Sequence, residues 1–212
     1  MRVGQLARRA LGPTFPVAGA AYRRVFVDIR NVANALPELP PGSTLLDVGI
    51  GDGAITNAIL DRQPDLEVIG IDTAPEIGGM LRPDLRDHVE LHPATSVAEL
   101  AASRTLAMSA AFLSDVLHHV PGDARAGLIA DVLSAFGGAP RQLIVKEIIP
   151  QGPRSRAAFW VDRNISGDRG AKAIGPTELV SLVRSVWPTA QVQTTDLQQV
   201  DYPNYCLIFR EA

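Results

Sequence analysis

Apolar and polar positions alternate along the middle of the chain in two different rhythms. Apolar runs of strand length cover residues 44–48, 67–71, 88–91, 106–113 and 142–147. Between them, apolar residues recur at helical spacing over about 54–62, 75–82, 96–103 and 122–136. Strands that alternate with helices are joined by crossovers, so the pattern predicts a parallel sheet with helices on both faces.

The two ends of the chain follow other patterns. Residues 19–36 place apolar side chains near one helical face. A linker rich in proline follows them, with Pro37, Pro40, Pro41 and Gly42. A helix is predicted over 177–187. The strands predicted at 191–195 and 205–209 are close enough in sequence to pair as an antiparallel hairpin.

These patterns divide the chain into two parts. We predict a helical cap and linker over 1–41 and one α/β domain over 42–212. Residues 150–175 break the rhythm of the domain and are predicted to form an insert that acts as a lid.

Composition excludes several classes of function. The chain has 212 residues, 46% of them hydrophobic and 20% charged, which suits one well-packed domain. Its formal net charge of -3 provides no electrostatic reason to expect a nucleic-acid partner. No apolar run approaches the roughly 20 residues that span a bilayer, and the single cysteine, Cys206, cannot form an internal disulfide. We therefore predict a cytoplasmic protein without a membrane span.

The most informative segment follows the first predicted strand and reads Leu-Leu-Asp-Val-Gly-Ile-Gly-Asp-Gly over residues 45–53. At its acid and its glycines it resembles motif I of the class I S-adenosylmethionine-dependent methyltransferases. The resemblance covers about residues 42–210 and implies a Rossmann-like seven-stranded sheet that is mostly parallel, with a C-terminal antiparallel hairpin. It also implies that the segment binds S-adenosylmethionine through Asp47, Gly49, Ile50, Gly51 and Gly53.

The same loop fits a second class of cofactor loosely. Gly49, Gly51 and Ala54, with Asp72 about 20 residues on, approximate the dinucleotide fingerprint of nicotinamide-dependent enzymes. That fingerprint places a pyrophosphate dianion at the loop, where Asp47 and Asp52 would repel it. The ammonium and sulfonium of S-adenosylmethionine suit the two acids better.

Three further residues are predicted to hold the adenosine part of the cofactor. Asp72 ends the second strand, where a carboxylate can accept both ribose hydroxyls, and Thr73 follows it. The alternative for Asp72 is a helix N-cap for the segment after it. No acid follows the third strand at the place where many methyltransferases bind the adenine amine, so Thr95 is predicted to read adenine through its amide or hydroxyl.

The segment after the fourth strand resembles motif IV of small-molecule methyltransferases. It contains Ser114 and Asp115, which are predicted to close the methionine side of the pocket, and the adjacent His118 and His119. A histidine can accept the proton of a hydroxyl as it is methylated, and we predict His119 for this role. The alternative is that both histidines are structural, since alignment alone accelerates methyl transfer.

The insert supplies the remaining candidates. Asp162 is an alternative general base, and an arginine among Arg154, Arg156, Arg163 and Arg169 is suited to an anionic substrate group. The Lys146–Glu147 pair is predicted to point to opposite faces at the sheet edge.

We therefore predict an enzyme that transfers a methyl group from S-adenosylmethionine to a small molecule, at oxygen, and releases S-adenosylhomocysteine. No metal site is predicted, and a homodimer is left open. The excess of arginines near the N-terminus is suited to an acidic carrier protein or a membrane surface: Arg2, Arg8, Arg9, Arg23, Arg24 and Arg30. The alternatives are an NAD-dependent oxidoreductase and a non-catalytic S-adenosylmethionine-binding or structural protein.

Overall fold

The computed structural model describes residues 28–104, 106–137, 141–149, 152, 172–195, 197 and 204–211. Seven strands form one sheet: β1 (Thr44–Val48), β2 (Glu67–Asp72), β3 (Val89–Pro93), β4 (Ala110–Ser114), β5 (Gln142–Ile148), β6 (Gln191–Thr194) and β7 (Asn204–Arg210). The described helices are α1 (Ile29–Ala35), α2 (Ala54–Arg62), α3 (Val97–Ser103), α4 (Arg125–Ser134) and α5 (Pro176–Val186), with short 3-10 turns at Pro83–His88 and Leu117–His119.

The strand order across the sheet is β3-β2-β1-β4-β5-β7-β6. The first five strands are parallel, while β7 runs antiparallel to both β5 and β6. This arrangement confirms the predicted α/β fold with its C-terminal antiparallel hairpin. Because the strand order reverses between β1 and β4, a crevice opens at the carboxyl edge of the sheet at this point, where open α/β sheets bind ligands.

The sheet has an apolar layer on each face because side chains along a strand alternate. Leu46 and its equivalents on neighbouring strands pack against α3, α4 and α5. Leu45 and its equivalents pack against α1 and α2. A charged residue within a central strand is therefore buried under a helix on one face or the other.

The helix predicted over 75–82 is wrong. The segment forms turns, and its backbone amides bond to the glycine loop: Gly78 N donates to Gly51 O at 2.9 Å and Met80 N donates to Asp52 O at 2.8 Å. Gly78 also has a φ of 68°, which is outside the right-handed helical region. Tertiary hydrogen bonds have replaced the local ones that a helix would need.

Other element boundaries differ by a few residues. The fourth strand begins at Ala110 rather than at 106, and Leu106 forms only an isolated bridge with Phe136. Of the helix predicted over 19–36, the described part is Ile29–Ala35, whose N-terminus is capped by the Asp28 carboxylate. Most of the predicted cap and of the insert at 150–175 lies outside the described residues. Among the described helices, none has the length and apolar character needed to cross a membrane.

Candidate functional site

A cavity of about 820 Å³ opens at the carboxyl edge of β1, β2 and β4. Its lining comes from five parts of the chain: Val48, Gly49, Ile71, Asp72, Thr73, Thr95, Ser96, Val97, Asp115, Val116, His119, Val120, Ala124, Gly127, Leu128 and Asp131. Six of the predicted site residues are in this wall, namely Gly49, Asp72, Thr73, Thr95, Asp115 and His119.

The glycine loop owes its shape to left-handed backbone at alternate positions. The φ angles of Gly49, Gly51 and Gly53 are 76°, 56° and 82°, a region that other residues adopt at a cost. At Gly49 a side chain would also collide with the β4 loop, since an added Cβ would lie 2.6 Å from Cγ2 of Val116. The glycines therefore permit both the turn and the close approach of the opposite cavity wall.

The amides of this loop are already used inside the protein. Gly49 N and Ile50 N both donate to Ile71 O, at 2.8 and 3.1 Å, and Gly51 N donates to Oδ2 of Asp72 at 3.1 Å. The loop is thereby held against the end of β2. It does not present these three amides to a ligand.

Asp47 and Ile50 are buried and do not belong to the lining of the cavity. The Asp47 carboxylate is buried and accepts a hydrogen bond of 2.8 Å from the Thr56 hydroxyl of α2. Burial raises its pKa to about 7, while the Thr56 hydrogen bond acts in the opposite direction. The Ile50 side chain packs against Gly70: a Cβ added to Gly70 would lie only 2.3 Å from Cδ1 of Ile50.

Asp72 occupies the end of β2, and both its carboxylate oxygens are oriented by the backbone. Oδ1 accepts from Ala74 N at 2.8 Å, and Oδ2 accepts from Gly51 N. No helix follows, so the N-cap interpretation of Asp72 is wrong and the contact with Ala74 is an Asx turn. Each oxygen keeps a second lone pair that a ligand hydroxyl can use.

The end of β3 has its polar groups engaged. Thr95 N donates to Asp72 O at 3.0 Å, and the Thr95 hydroxyl donates to Pro93 O at 2.9 Å. Ser96 forms a capping box with Glu99 at the start of α3. The Thr95 amide is therefore occupied, and only its hydroxyl oxygen keeps an accepting position for a ligand.

The end of β4 contains a partly buried ion pair and two buried atoms without partners. Asp115 has a φ of 58°, and its Oδ2 accepts from Nζ of Lys146 at 2.5 Å. Oδ1 of Asp115 and the hydroxyl oxygen of Ser114 have no hydrogen-bond partner although both atoms are buried. Such atoms are costly unless a ligand or water satisfies them.

A second buried pair lies beside the first. The Nδ1 atom of His118 is 2.6 Å from Oε2 of Glu147, and Oε1 of Glu147 accepts from Leu117 N at 2.7 Å. The ring of His119 lies 4.0 Å from that of His118 and reaches the cavity wall. Lys146 and Glu147 thus point to opposite faces as predicted, but β5 is an interior strand and both side chains are buried.

Asp115, His118 and Glu147 bring three potential metal-ligating atoms within 4.8 Å of one another. A divalent cation there would face the ammonium of Lys146, which is already bonded to Asp115. It would also have to share Glu147 with His118 and Leu117 N. The donor set therefore fits an internally paired charge network better than a metal centre.

One part of the site was not predicted from the sequence, and one predicted residue cannot be placed in it. The face of α4 that lines the cavity was not predicted, although Ala124, Gly127, Leu128 and Asp131 have the i, i+3, i+4, i+7 spacing that would have revealed a common face. Asp162, the alternative general base, lies outside the described residues.

No protein-family model matches the chain, and no curated protein matches it. Solved structures do. An O-methyltransferase family 2 protein from Planctomyces limnophilus, in complex with apigenin, matches with a TM-score of 0.67 and 20% identity over 97% of this chain and 62% of its own. Human N-acetylserotonin methyltransferase, in complex with SAM, matches with a TM-score of 0.65 and 17% identity over 97% of this chain and 57% of its own. A SAM-dependent methyltransferase from Archaeoglobus fulgidus matches with a TM-score of 0.63 and 12% identity over 92% of this chain and 99% of its own.

These matches show that the chain has the same fold as these three methyltransferases. It spans 62% and 57% of the length of the first two proteins.

Proposed function

We propose that the chain is an enzyme that binds S-adenosylmethionine in this cavity and transfers its methyl group to an oxygen of a small molecule. The observation that carries the proposal is the charge of the wall. Three carboxylates line the cavity among the described residues (Asp72, Asp115 and Asp131), and no lysine or arginine does. Lys146 compensates Asp115 from behind the wall, so Asp72 and Asp131 give the wall its net negative charge. A cationic ligand is favoured in such a wall over an anionic one.

The loop geometry supports the same choice of cofactor. A dinucleotide needs free loop amides for its pyrophosphate, whereas the amides of Gly49, Ile50 and Gly51 are bonded to Ile71 O and Asp72. Asp72 at the end of β2 suits a ribose of either cofactor. The bonded loop amides are therefore what disfavours the NAD-dependent alternative.

Particular residues suit particular parts of S-adenosylmethionine. Asp72 would accept the ribose hydroxyls, with Thr73 and Thr95 beside it. Asp115, whose Oδ1 lacks a partner, would accept a hydrogen bond from the methionine ammonium. The hydroxyl of Ser114, the preceding residue, also lacks a partner. When bound, the cofactor would supply a methyl carbon already activated by the sulfonium. Gly49 leaves that part of the wall without a side chain.

His119 is the described side chain best suited to accept the proton of an acceptor hydroxyl, because it is the histidine that lines the cavity. Its neighbour His118 is buried and held by Glu147, so the short turn that presents His119 is anchored from below. Asp162 stays the alternative predicted base. The homodimer, the carrier-protein contact and the cytoplasmic location also stay predictions.

The test is calorimetric titration of the protein with S-adenosylmethionine, S-adenosylhomocysteine and NADH. We expect micromolar binding of the first two and none of NADH. Binding of NADH alone would contradict the charge argument and favour an oxidoreductase. Binding of the methionine ligands without turnover against a panel of hydroxylated small molecules would favour the non-catalytic alternative.

A pair of glycine variants locates the binding site. Gly51→Val should reduce S-adenosylhomocysteine affinity by about 100-fold or more, because it strains the loop and disturbs the Gly51–Asp72 hydrogen bond. Gly42→Val is the matched control, since Gly42 has a φ of 75° and open space around it but lies before β1, away from the cavity. Equal affinity in the two variants would move the site elsewhere.

A further inference from the structure

Helix α4 presents one face to the cavity and another to the core. Ala124, Gly127, Leu128 and Asp131 line the cavity, and a Cβ on Gly127 would meet no atom within 4 Å. The neighbouring face, with Ile129 and Val132, is fully buried in the apolar layer. The helix is therefore placed firmly by its core face while its other face is available to a ligand.

This face lies on the side of the cavity where the base of a nucleoside would be. β3 follows β2 outward in the sheet, and α3, which begins at the end of β3, packs beside α4. A ribose at Asp72 therefore places its base between the β2–β3 side and this pair of helices. The cavity lining there includes Val97 of α3 and Leu128 of α4, which are suitable apolar surfaces for a purine.

Polar recognition of that purine must come from a group that is still free. The Thr95 amide donates to Asp72 O, the Thr95 hydroxyl donates to Pro93 O and keeps only a neutral accepting position, and Ser96 is committed to Glu99. The carboxylate of Asp131 differs, because no hydrogen bond or ion pair involves it within the described part of the chain. It is half-buried, lines the same cavity and can only accept hydrogen bonds when ionised.

We propose that Asp131 accepts a hydrogen bond from the exocyclic amine of adenine and so selects a 6-aminopurine. The inference rests on the proposed function and assigns the purine subsite of that same cavity. It explains how the base is read although no acid follows β3. The role has moved from the end of a strand to the middle of a helix.

The test compares two ligands in each variant. S-adenosylhomocysteine and its analogue with hydrogen in place of the 6-amino group differ only in the donor that Asp131 would bind. In the wild-type protein we expect the analogue to bind about tenfold more weakly. In Asp131→Leu the two affinities should be nearly equal. Asp131→Asn keeps a neutral acceptor, so its ratio of the two affinities should lie between those of the wild type and Asp131→Leu.

Comparing two ligands in one variant removes general effects of the substitution. Leucine has a higher helix propensity than aspartate, so Asp131→Leu is expected to fold, and circular dichroism checks this. Asp65→Leu is the control, since Asp65 is exposed and lies before β2, at the opposite edge of the sheet.

The outcomes separate this inference from the proposed function. If wild-type protein binds neither ligand, the proposed function fails. If it binds S-adenosylhomocysteine but the ratio of the two affinities is the same in wild type and Asp131→Leu, the assignment of Asp131 is wrong and the proposed function stands. A ratio that falls in Asp131→Leu and not in Asp65→Leu supports the assignment.

Discussion

The two sides of the cavity are stabilised in different ways. On the β2 side, formed by the glycine loop and the end of β2, the Asp72 carboxylate is bonded to backbone amides and the loop amides to a backbone carbonyl. On the β4 side, formed by the ends of β4 and β5, the contacts are side-chain pairs: Lys146 with the partly exposed Asp115, and His118 with Glu147, both of which are buried. That side also holds two buried atoms without partners.

The difference corresponds to the two proposed tasks, cofactor binding on the β2 side and methyl transfer on the β4 side. A framework of backbone hydrogen bonds changes little when single side chains change, which suits the binding of a cofactor that is always the same. Paired charges in a buried setting respond strongly to the loss of either member, since the remaining charge is left without compensation. The β4 side, where we place the transfer, should therefore be the more sensitive of the two to substitution.

The largest effect is expected from Glu147→Ala. It removes a buried carboxylate that binds both His118 and Leu117 N, and the loss of one member of a buried pair costs about 3–5 kcal/mol. Urea unfolding followed by circular dichroism measures this as a lower free energy of unfolding.

The chain offers a matched pair for comparison. His88 and Glu67 form the same kind of contact at 3.2 Å, but their side chains are 39% and 54% exposed. Glu67→Ala should change the free energy of unfolding by less than about 1 kcal/mol. If Glu67→Ala and Glu147→Ala cost the same, burial is not what distinguishes the β4 side.

This contrast also explains what could be predicted from the sequence. The β2 side depends on a contiguous run of residues from Asp47 to Gly53 and on one acid 21 positions after Gly51, so its pattern is readable in the chain. The β4 pairs join residues 29 and 31 positions apart. Neither His118 nor Glu147 carries a local signal that identifies the other as its partner.

Partners distant in sequence also shaped features that local patterns did not show. Residues 75–82 have local helical spacing, but Gly78 and Met80 donate to carbonyls of the glycine loop instead. Asp47 stays a predicted cofactor residue, but its position in β1 turns its carboxylate toward α2 and Thr56, which the sequence did not indicate. In both cases a partner distant in sequence determined the outcome.

Asp47 is a buried acid beneath the β2 side that has no charged partner, so it does not follow the contrast between the two sides. Its pKa of about 7 in the folded protein is above that in the unfolded chain, so the folded state binds more protons between pH 4 and 7. Its contribution to stability is therefore complete at low pH and is lost as the pH rises through that range, by about 1.4 kcal/mol per pH unit.

The measurement is the free energy of unfolding of wild type and Asp47→Asn at several pH values in this range. Asparagine does not titrate, so the stability of the variant relative to wild type should increase as the pH rises. Thr56→Val is a useful companion, because the loss of its hydrogen bond should raise the pKa of Asp47 further. A difference that is independent of pH would mean that the Asp47 carboxylate is not desolvated.

The Lys146–Asp115 pair tests how much a partly exposed ion pair contributes on the β4 side. In a double-mutant cycle with Lys146→Met and Asp115→Asn, we expect a coupling energy on the order of 1 kcal/mol. It should be smaller than the cost of removing Glu147, since the Asp115 side chain is 26% exposed. Additive effects of the two substitutions would show that the pair contributes nothing as a pair.

The smallest effect is expected at Gly127, where stability and binding should move in opposite directions. Alanine raises helix propensity, and its methyl group would meet no atom within 4 Å, so Gly127→Ala should stabilise the fold by about 0.5–1 kcal/mol. The same methyl group projects from the cavity face of α4 and should weaken S-adenosylhomocysteine binding about two- to threefold. Gly122 also has open space around it but precedes the helix and does not line the cavity, so Gly122→Ala should change neither quantity appreciably. A higher free energy of unfolding without weaker S-adenosylhomocysteine binding would mean that the ligand does not reach α4. The purine subsite would then have to be sought nearer β3.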